Sequence, residues 1–194
     1  MSGHEVAGQE TNMGIDSNEP SPPALIGLMA ENGALMFFPV SIAKFVVLSV
    51  CSLGIYNLYW FYRNWQLVRA REHSDISPLW RAMFAYFFCY ALFKQIRDHD
   101  LQSGGSGALP AGALATGWIV LTLLWQMPDP YWLAALLSFV FMLPAQIAAN
   151  RINSVVAPNH DRNTRFTVWN WLTVAIGGAI IVLDALGEFA VPEP

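Results

Sequence analysis

The stretch that decides the fold is Phe45–Tyr62, which reads FVVLSVCSLGIYNLYWFY. Its eighteen residues carry no charge, and they lie between Lys44 and Arg63. A helix that crosses a membrane needs about 20 mostly apolar residues, so we predict that this stretch crosses once. Gly54 interrupts the run, however. The alternative is a hairpin that turns at Gly54 and brings both ends of the stretch back to the same side.

The composition of the whole chain supports a membrane environment. Of the 194 residues, 55% are hydrophobic and only 12% are charged, whereas a soluble domain carries about 25% charged residues. The net charge of −4 argues against a nucleic-acid partner. The composition therefore predicts an all-α, polytopic membrane bundle of about four transmembrane helices plus one short re-entrant or interfacial helix.

Three further apolar runs are candidates for membrane spans. They cover residues 108–127, 131–149 and 166–183. The first two are separated by Pro128-Asp129-Pro130, and neither proline can continue a helix. We therefore predict a helical hairpin that turns at this Pro-Asp-Pro sequence.

The run between Ser77 and Arg97 is shorter than the others. Ser77-Pro78 is typical of a helix start, and we place a helix at residues 78–97. Its uncharged part, Ala82–Phe93, has twelve residues and would reach only about 18 Å. A run of this length is more typical of a re-entrant or interfacial helix than of a span.

The rest of the chain is divided by composition. Residues 1–23 are polar and acidic and end in Pro-Ser-Pro-Pro, which predicts a disordered tail. The predicted organisation is tail 1–23, front membrane segment 24–103 (span 45–62 and helix 78–97), Gly/Ser linker 104–107, back membrane segment 108–187 and C-terminal tail 188–194.

The ten Lys and Arg residues set the predicted orientation, because basic residues in short loops stay on the cytoplasmic side. If 45–62 crosses and 78–97 does not, nine of the ten lie on that side and only Lys44 lies outside. The hairpin alternative at Gly54 places all ten there. Both alternatives make the basic loops 63–81, 94–107 and 151–165 cytoplasmic.

One string in the front segment carries a family resemblance. Ser52–Trp65, SLGIYNLYWFYRNW, resembles the LGxYxxYWFYxxW signature of an uncharacterised family of small bacterial inner-membrane proteins, a domain of unknown function. Ile76–Arg81, Asn150–Asn153 and Trp169–Trp171 with Gly177-Gly178 are similar to further blocks, so the resemblance covers roughly residues 37–183. It implies a small integral protein of the bacterial cytoplasmic (inner) membrane, and the family has no assigned activity or cofactor.

Gln146, Asn150 and Asn153 recur at helical spacing and therefore share one helix face. They are candidates for a polar lining of a solute path or for contacts with lipid headgroups. The alternative is hydrogen bonding between helices, at about 0.6 kcal/mol each. The full set of candidates for lining or headgroup contact is Arg63, Asn64, Arg81, Gln146, Asn150, Arg151, Asn153 and Asn170.

His73, His99 and His160 each have an aspartate close by in the sequence. No two of them share the spacing of a known metal motif. We therefore predict no metal site, no cofactor and no catalytic residue.

Three functional hypotheses follow. The first is a non-enzymatic membrane module that organises a partner or lipid. The second is a small-solute transporter or channel with a polar path at Gln146, Asn150 and Asn153, and the third is a membrane enzyme that acts on lipid headgroups. The expected partners are the bilayer, anionic lipid at the cytoplasmic face and another membrane protein, with no nucleic acid.

Overall fold

A computed structural model describes residues 34–128 and 131–190. The predicted tail 1–23, the middle of the Pro-Asp-Pro turn and the end of the C-terminal tail lie outside the described residues. Within the described ranges the structure is helical and contains no strand, which confirms the all-α prediction.

Seven α-helices and two 3-10 helices follow one another along the described chain. The α-helices are α1 (Ile42–Cys51), α2 (Ile55–Glu72), α3 (Pro78–Met83), α4 (Ala85–Gln102), α5 (Ala111–Leu123), α6 (Leu143–Val156) and α7 (Val168–Ala190), and the 3-10 helices are Leu124–Gln126 and Tyr131–Phe141.

The predicted single crossing by residues 45–62 is wrong, because the chain turns back between α1 and α2. Leu53 and Gly54 adopt left-handed backbone conformations, with φ of +52° and +86°. The rings of Phe45 on α1 and Trp60 on α2 have centroids 6.2 Å apart, whereas a continuous helix would separate the two residues by about 22 Å. The alternative hairpin at Gly54 is the arrangement that the structure has.

The single helix predicted at residues 78–97 is wrong. This part of the chain forms two helices, α3 and α4, with a bend at Phe84. Leu79 on α3 lies in the same cavity as Arg69 of α2, and Gln95 on α4 donates a hydrogen bond to Glu72, also on α2. A straight helix would place Leu79 and Gln95 about 24 Å apart. The bend lets both halves contact the C-terminal turns of α2.

The back segment contains the longest helices. The 3-10 helix Tyr131–Phe141 and α6 form a rod, Tyr131–Val156, of 26 residues, the one helix in the described ranges that is long and apolar enough to cross a membrane by length and composition. Ala111–Gln126 and Val168–Asp184 are shorter apolar helices. At the predicted Pro-Asp-Pro turn, Tyr131 N donates to Pro128 O at 3.0 Å.

The loops and turns lie at two opposite ends of the bundle. Contacts of Phe37 with His99, of Met36 O with Arg71 and of Lys44 with Arg165 O bring one set of loops together. We call this the basic end, formed by residues 34–41 and the loops 73–77, 103–110 and 157–167. Leu53, Met83, Trp125 and Trp132 line a common cavity near the opposite end, which we call the apolar end.

The front and back segments share one core. The fully buried side chains of Trp60, Phe61, Phe93 and Trp118 lie at its centre, and the ring centroids of Phe61 and Trp118 are 5.0 Å apart. The predicted linker 104–107 follows the last turn of α4, where Gly105 N donates to Asp100 O at 2.8 Å.

Candidate functional site

Residues 36–40 (MFFPV) form a non-helical segment inside the bundle. Met36, Phe37 and Val40 are fully buried, and Phe38 is 5% exposed. Buried main-chain N–H and C=O groups need hydrogen-bond partners, and non-helical backbone at membrane depth is tolerated only where protein groups or water supply them. The partners of this segment are side-chain amides.

Asn153 on α6 binds the start of the segment from both sides. Its Oδ1 accepts from Met36 N at 3.0 Å and from Phe37 N at 3.1 Å. Its Nδ2 donates to Phe37 O at 2.7 Å. One fully buried side chain therefore satisfies three main-chain groups.

Asn150 and Gln146, one and two turns before Asn153 on α6, bind the end of the segment. Gln146 Nε2 donates to Phe38 O and to Val40 O, both at 3.3 Å. Asn150 Nδ2 donates to Val40 O at 2.8 Å, and its Oδ1 accepts from Gln146. Gln146 Oε1 also accepts from Trp60 Nε1.

Asn64 on α2 completes the set. Its Oδ1 accepts from Phe38 N at 3.0 Å, and its Nδ2 donates to Trp60 O. We call Asn64, Gln146, Asn150 and Asn153 the amide clamp. Its members bind main-chain groups of residues 36–40, which belong to neither α2 nor α6. Only the Trp60–Gln146 bond is a side-chain bond between two helices, as the sequence predicted.

The amide clamp leaves little polar surface for a solute. Gln146, Asn153 and Asn64 are fully buried, and their side-chain oxygen and nitrogen atoms bind protein groups. Asn150 alone is partly exposed, and it borders a cavity at the basic end.

Lys44 lies at the basic end, so the expectation that it lies opposite the other nine cations is wrong. Its Nζ donates to Asn163 Oδ1 and to Arg165 O, both at 2.8 Å. Asn163 Nδ2 in turn donates to Pro39 O. These bonds tie the start of α1 and the buried segment to the loop 157–167.

Most other cations of the chain also lie at this end. Arg71 Nη1 donates to Met36 O at 2.9 Å, and Arg151 Nε donates to the buried Asp100 at 2.9 Å. Seven of the ten basic residues belong to the basic end or contact its segments: Lys44, Arg63, Arg69, Arg71, Arg151, Arg162 and Arg165.

The three other candidates from the sequence have structural contacts. Arg63 stacks over Phe38 at 5.6 Å, and Arg81 stacks over Trp65 at 4.4 Å. Asn170 Oδ1 accepts from Thr167 N at 3.0 Å and so caps the first turn of α7. The structure therefore places the eight candidates in separate local roles and gathers only the four clamp amides around one feature.

The histidines lie in three different places. His99 packs edge-on against Phe37, His160 Nδ1 lies 2.6 Å from Ala157 O, and His73 borders the cavity beside Arg69. Within residues 34–128 and 131–190, no three His, Cys, Asp or Glu side chains converge on a point that could hold a metal ion.

The buried segment itself was not predicted from the sequence. Its signal is MFFPV, five apolar residues that end one position before Ser41, the N-cap of α1. Such a run is too short for a span and contains a proline, so it predicts a non-helical, buried stretch. That stretch requires polar partners elsewhere in the chain.

Comparison with known proteins adds no identification. No family model, no curated protein and no solved structure matches this chain. The resemblance carried by SLGIYNLYWFYRNW therefore stays a prediction.

Proposed function

We propose that this chain is a polytopic protein of the bacterial cytoplasmic membrane and a non-enzymatic module that organises anionic lipid around its basic end. The observation that carries the proposal is the gathering of seven of the ten basic residues at the basic end. Positive charge gathered at one end is typical of the cytoplasmic face of membrane proteins.

The proposed topology has three crossings. They are Ala111–Gln126, Tyr131–Val156 and Val168–Asp184. The N-terminal side of the described chain lies at the basic end, so an odd number of crossings places the end of α7 on the far side. The proposed topology thus has one span fewer than the four or so expected from the sequence.

The two front hairpins enter the membrane from the basic end and return. Helix α1 has ten residues and reaches about 15 Å, which is half of the roughly 30 Å hydrocarbon layer. Helix α2 has 18 residues, but its uncharged first part, residues 55–62, reaches only about 12 Å. The hairpin α1–α2 and the bent pair α3–α4 are therefore re-entrant in the proposed topology. The amide clamp supplies the hydrogen bonds that such a non-spanning structure needs.

Large apolar side chains on the outside of the bundle support a lipid environment. Phe87 is 79% exposed, Trp169 78% and Val168 75%. Monomeric soluble proteins rarely expose large contiguous apolar patches. Lipid chains would cover these side chains in the proposed arrangement.

The charge of the basic end supports lipid organisation. The described residues from Lys44 to Arg165 contain all ten basic residues and only five acidic ones, a net charge of +5: the acids are Glu72, Asp75, Asp98, Asp100 and Asp161. Each basic residue near an anionic leaflet contributes about 1 kcal/mol of attraction. The transporter and enzyme hypotheses receive less support, because the clamp amides bind main chain and the histidines are separated.

Cysteine labelling tests the topology. Single cysteines at Ala34, Ser106, Asn159 and Met127, in a background without Cys51 and Cys89, are treated with a membrane-impermeant maleimide in intact cells and in inverted vesicles. We expect the first three to react only in inverted vesicles and Met127→Cys only in intact cells. Labelling of Ala34→Cys from the same side as Met127→Cys would contradict the proposal.

Lipid analysis tests the function. We expect the protein purified in mild detergent to retain anionic phospholipid in excess over its share of the membrane. The variant Arg69→Gln/Lys94→Gln removes two exposed cations and should lower that excess. Unchanged lipid composition in the variant, or no excess in the wild type, would exclude lipid organisation by this end.

A further inference from the structure

A second polar cavity lies at the basic end, beside the amide clamp. It has a volume of about 430 Å³ and lies between the last turns of α6 and the loop 157–167. Arg151, Ser154, His160, Arg162 and Thr164 line it, together with Ser41 and Asn150. We call this cavity the basic pocket. None of its seven lining residues is acidic.

Arg151 is held in a fixed position at the edge of the pocket. Its Nε donates to Asp100 Oδ1 at 2.9 Å, and its Nη2 donates to the same oxygen. The Asp100 side chain is only 2% exposed, whereas the Arg151 side chain is 48% exposed. Asp100 therefore holds the guanidinium of Arg151 from its buried side. The Nη1 atom of Arg151 makes no hydrogen bond within the described part of the chain.

Three further lining residues, Ser41, Arg162 and Thr164, have donors that the described part of the fold does not use. Arg162 and Thr164 have no side-chain hydrogen bond or ion pair to any residue that the structure describes. Ser41 Oγ accepts from Lys44 N, which leaves its own hydrogen free to be donated. Two guanidinium groups and two hydroxyl groups can thus point donors at one ligand.

The charge around the pocket favours an anion. Lys44, whose Nζ donates to the main-chain oxygen of Arg165, and Arg165 itself in loop 157–167 add two cations to those of Arg151 and Arg162. Asp100 and Asp161 are the nearby acids in the sequence segments that form this region. The local balance of four cations against two acids is positive, and guanidinium groups match the oxygens of phosphate with two parallel hydrogen bonds.

We propose that the basic pocket binds a phosphate group, as a monoester or a diester. Two sources share this chemistry, a phospholipid headgroup and free phosphate. The headgroup case rests on the proposed function, because it needs the basic end to face the lipid surface. Binding of a phosphate probe to protein in detergent does not depend on the orientation of the protein in a membrane.

The test uses the full chain purified in a neutral detergent. Inorganic phosphate and glycerol 3-phosphate are titrated by calorimetry in the first arm. In the second arm the protein is placed in nanodiscs of phosphatidylcholine with or without phosphatidylglycerol, and bound lipid is counted by native mass spectrometry after release. Binding in the first arm identifies free phosphate as a ligand, and binding in the second arm alone identifies the headgroup.

Arg162→Gln is the decisive variant, and Arg165→Gln is its matched control. Both arginines are exposed and lie three positions apart in the same loop, but only Arg162 borders the pocket. Loss of one charge-assisted hydrogen bond should weaken binding about tenfold or more in Arg162→Gln, with a much smaller change in Arg165→Gln. Both variants should keep the wild-type unfolding temperature.

Two outcomes would overturn the proposal. The first is the absence of saturable binding in both arms. The second is an equal loss of affinity in the two variants, which would show general attraction by the positive end and no site. Thr164→Val provides an independent check without a change in charge, and it should also weaken binding. A reversed or altered topology in the labelling experiment would leave the detergent arm unaffected.

Discussion

The front segment, residues 34–103, and the back segment, residues 108–190, are both apolar, but they satisfy their main-chain polar groups in different ways. The back segment forms long helices, in which each N–H bonds to a carbonyl of the same helix. The front segment also forms helices, two of them 18 residues long, but it contains the buried, non-helical residues 36–40. Its main-chain groups depend on amides from α2 and α6, among them Asn64 and Asn153.

This difference shows what hydropathy can and cannot detect. An apolar run of span length identifies a helix that completes its own hydrogen bonds. A shorter run such as MFFPV has the same apolar character, and its stability depends on polar side chains more than 100 positions away. The asparagines and glutamine of α6 are therefore structural parts of the front segment.

Removal of one clamp amide should have the largest effect. Asn153→Ala leaves Met36 N, Phe37 N and Phe37 O without their partner, and each unsatisfied buried group costs about 1–3 kcal/mol. We expect a loss of roughly 3 kcal/mol or more in the free energy of unfolding, measured by denaturation in detergent micelles.

Asn159→Ala is the control for this prediction. Asn159 is exposed in the loop that follows α6, so the same substitution there should change stability by less than about 0.5 kcal/mol. Equal stabilities of the two variants would show that the clamp does not hold the front segment.

The contact between α1 and α7 joins the two segments, and two adjacent glycines test it. A Cβ at Gly177 would collide with the main-chain oxygen of Cys51, whereas a Cβ at Gly178 would have no atom within 4 Å. Gly177→Ala must push α7 away from α1, at a cost of about 1–3 kcal/mol. Gly178→Ala should be neutral or stabilise the helix by about 0.5–1 kcal/mol. Thermal unfolding of the pair measures both, and similar values would contradict the close contact.

The back segment was largely predictable from the sequence. Pro128 and Pro130 cannot continue a helix that precedes them, and the run that begins at Tyr131 has the length and composition of a span. Local chemistry sets both features, so they are visible without knowledge of the fold. In the structure this helix continues past its predicted end at Ala149 and ends at Val156.

The front segment and the amide clamp were less predictable. The spacing of Gln146, Asn150 and Asn153 identified a polar face, but their partners come from residues 36–40. No local pattern in α6 indicates that pairing. Gly54 was recognised as an interruption, and only the left-handed conformation at Leu53 and Gly54 decides between a kinked span and a hairpin.

Gly54→Ala measures how much the α1–α2 hairpin depends on that conformation. A Cβ at Gly54 would meet no atom within 4 Å, so its cost is that of an L-residue in the left-handed region, about 1–2 kcal/mol. Gly112→Ala in α5, where the nearest atom lies at an ordinary 4.0 Å, should instead be neutral or stabilising. A neutral Gly54→Ala, by the same unfolding assay, would favour a continuous helix over the hairpin.

The smallest expected effect is a dependence of stability on pH that comes from His99 at the basic end of the front segment. Burial, with a further contribution from the charge of Arg71, lowers the pKa of His99 below its ordinary value of 6.5. The unfolded chain therefore binds a proton more readily than the folded one, and the free energy of unfolding falls as pH is lowered below about 6.5. One proton limits this slope to about 1.4 kcal/mol per pH unit.

His99→Leu keeps an apolar contact for Phe37 and removes the titrating group, so its stability should vary less between pH 7 and pH 5 than that of the wild type. Identical pH profiles in micelle unfolding experiments would show that the packing of Phe37 against His99 does not couple the front segment to protonation.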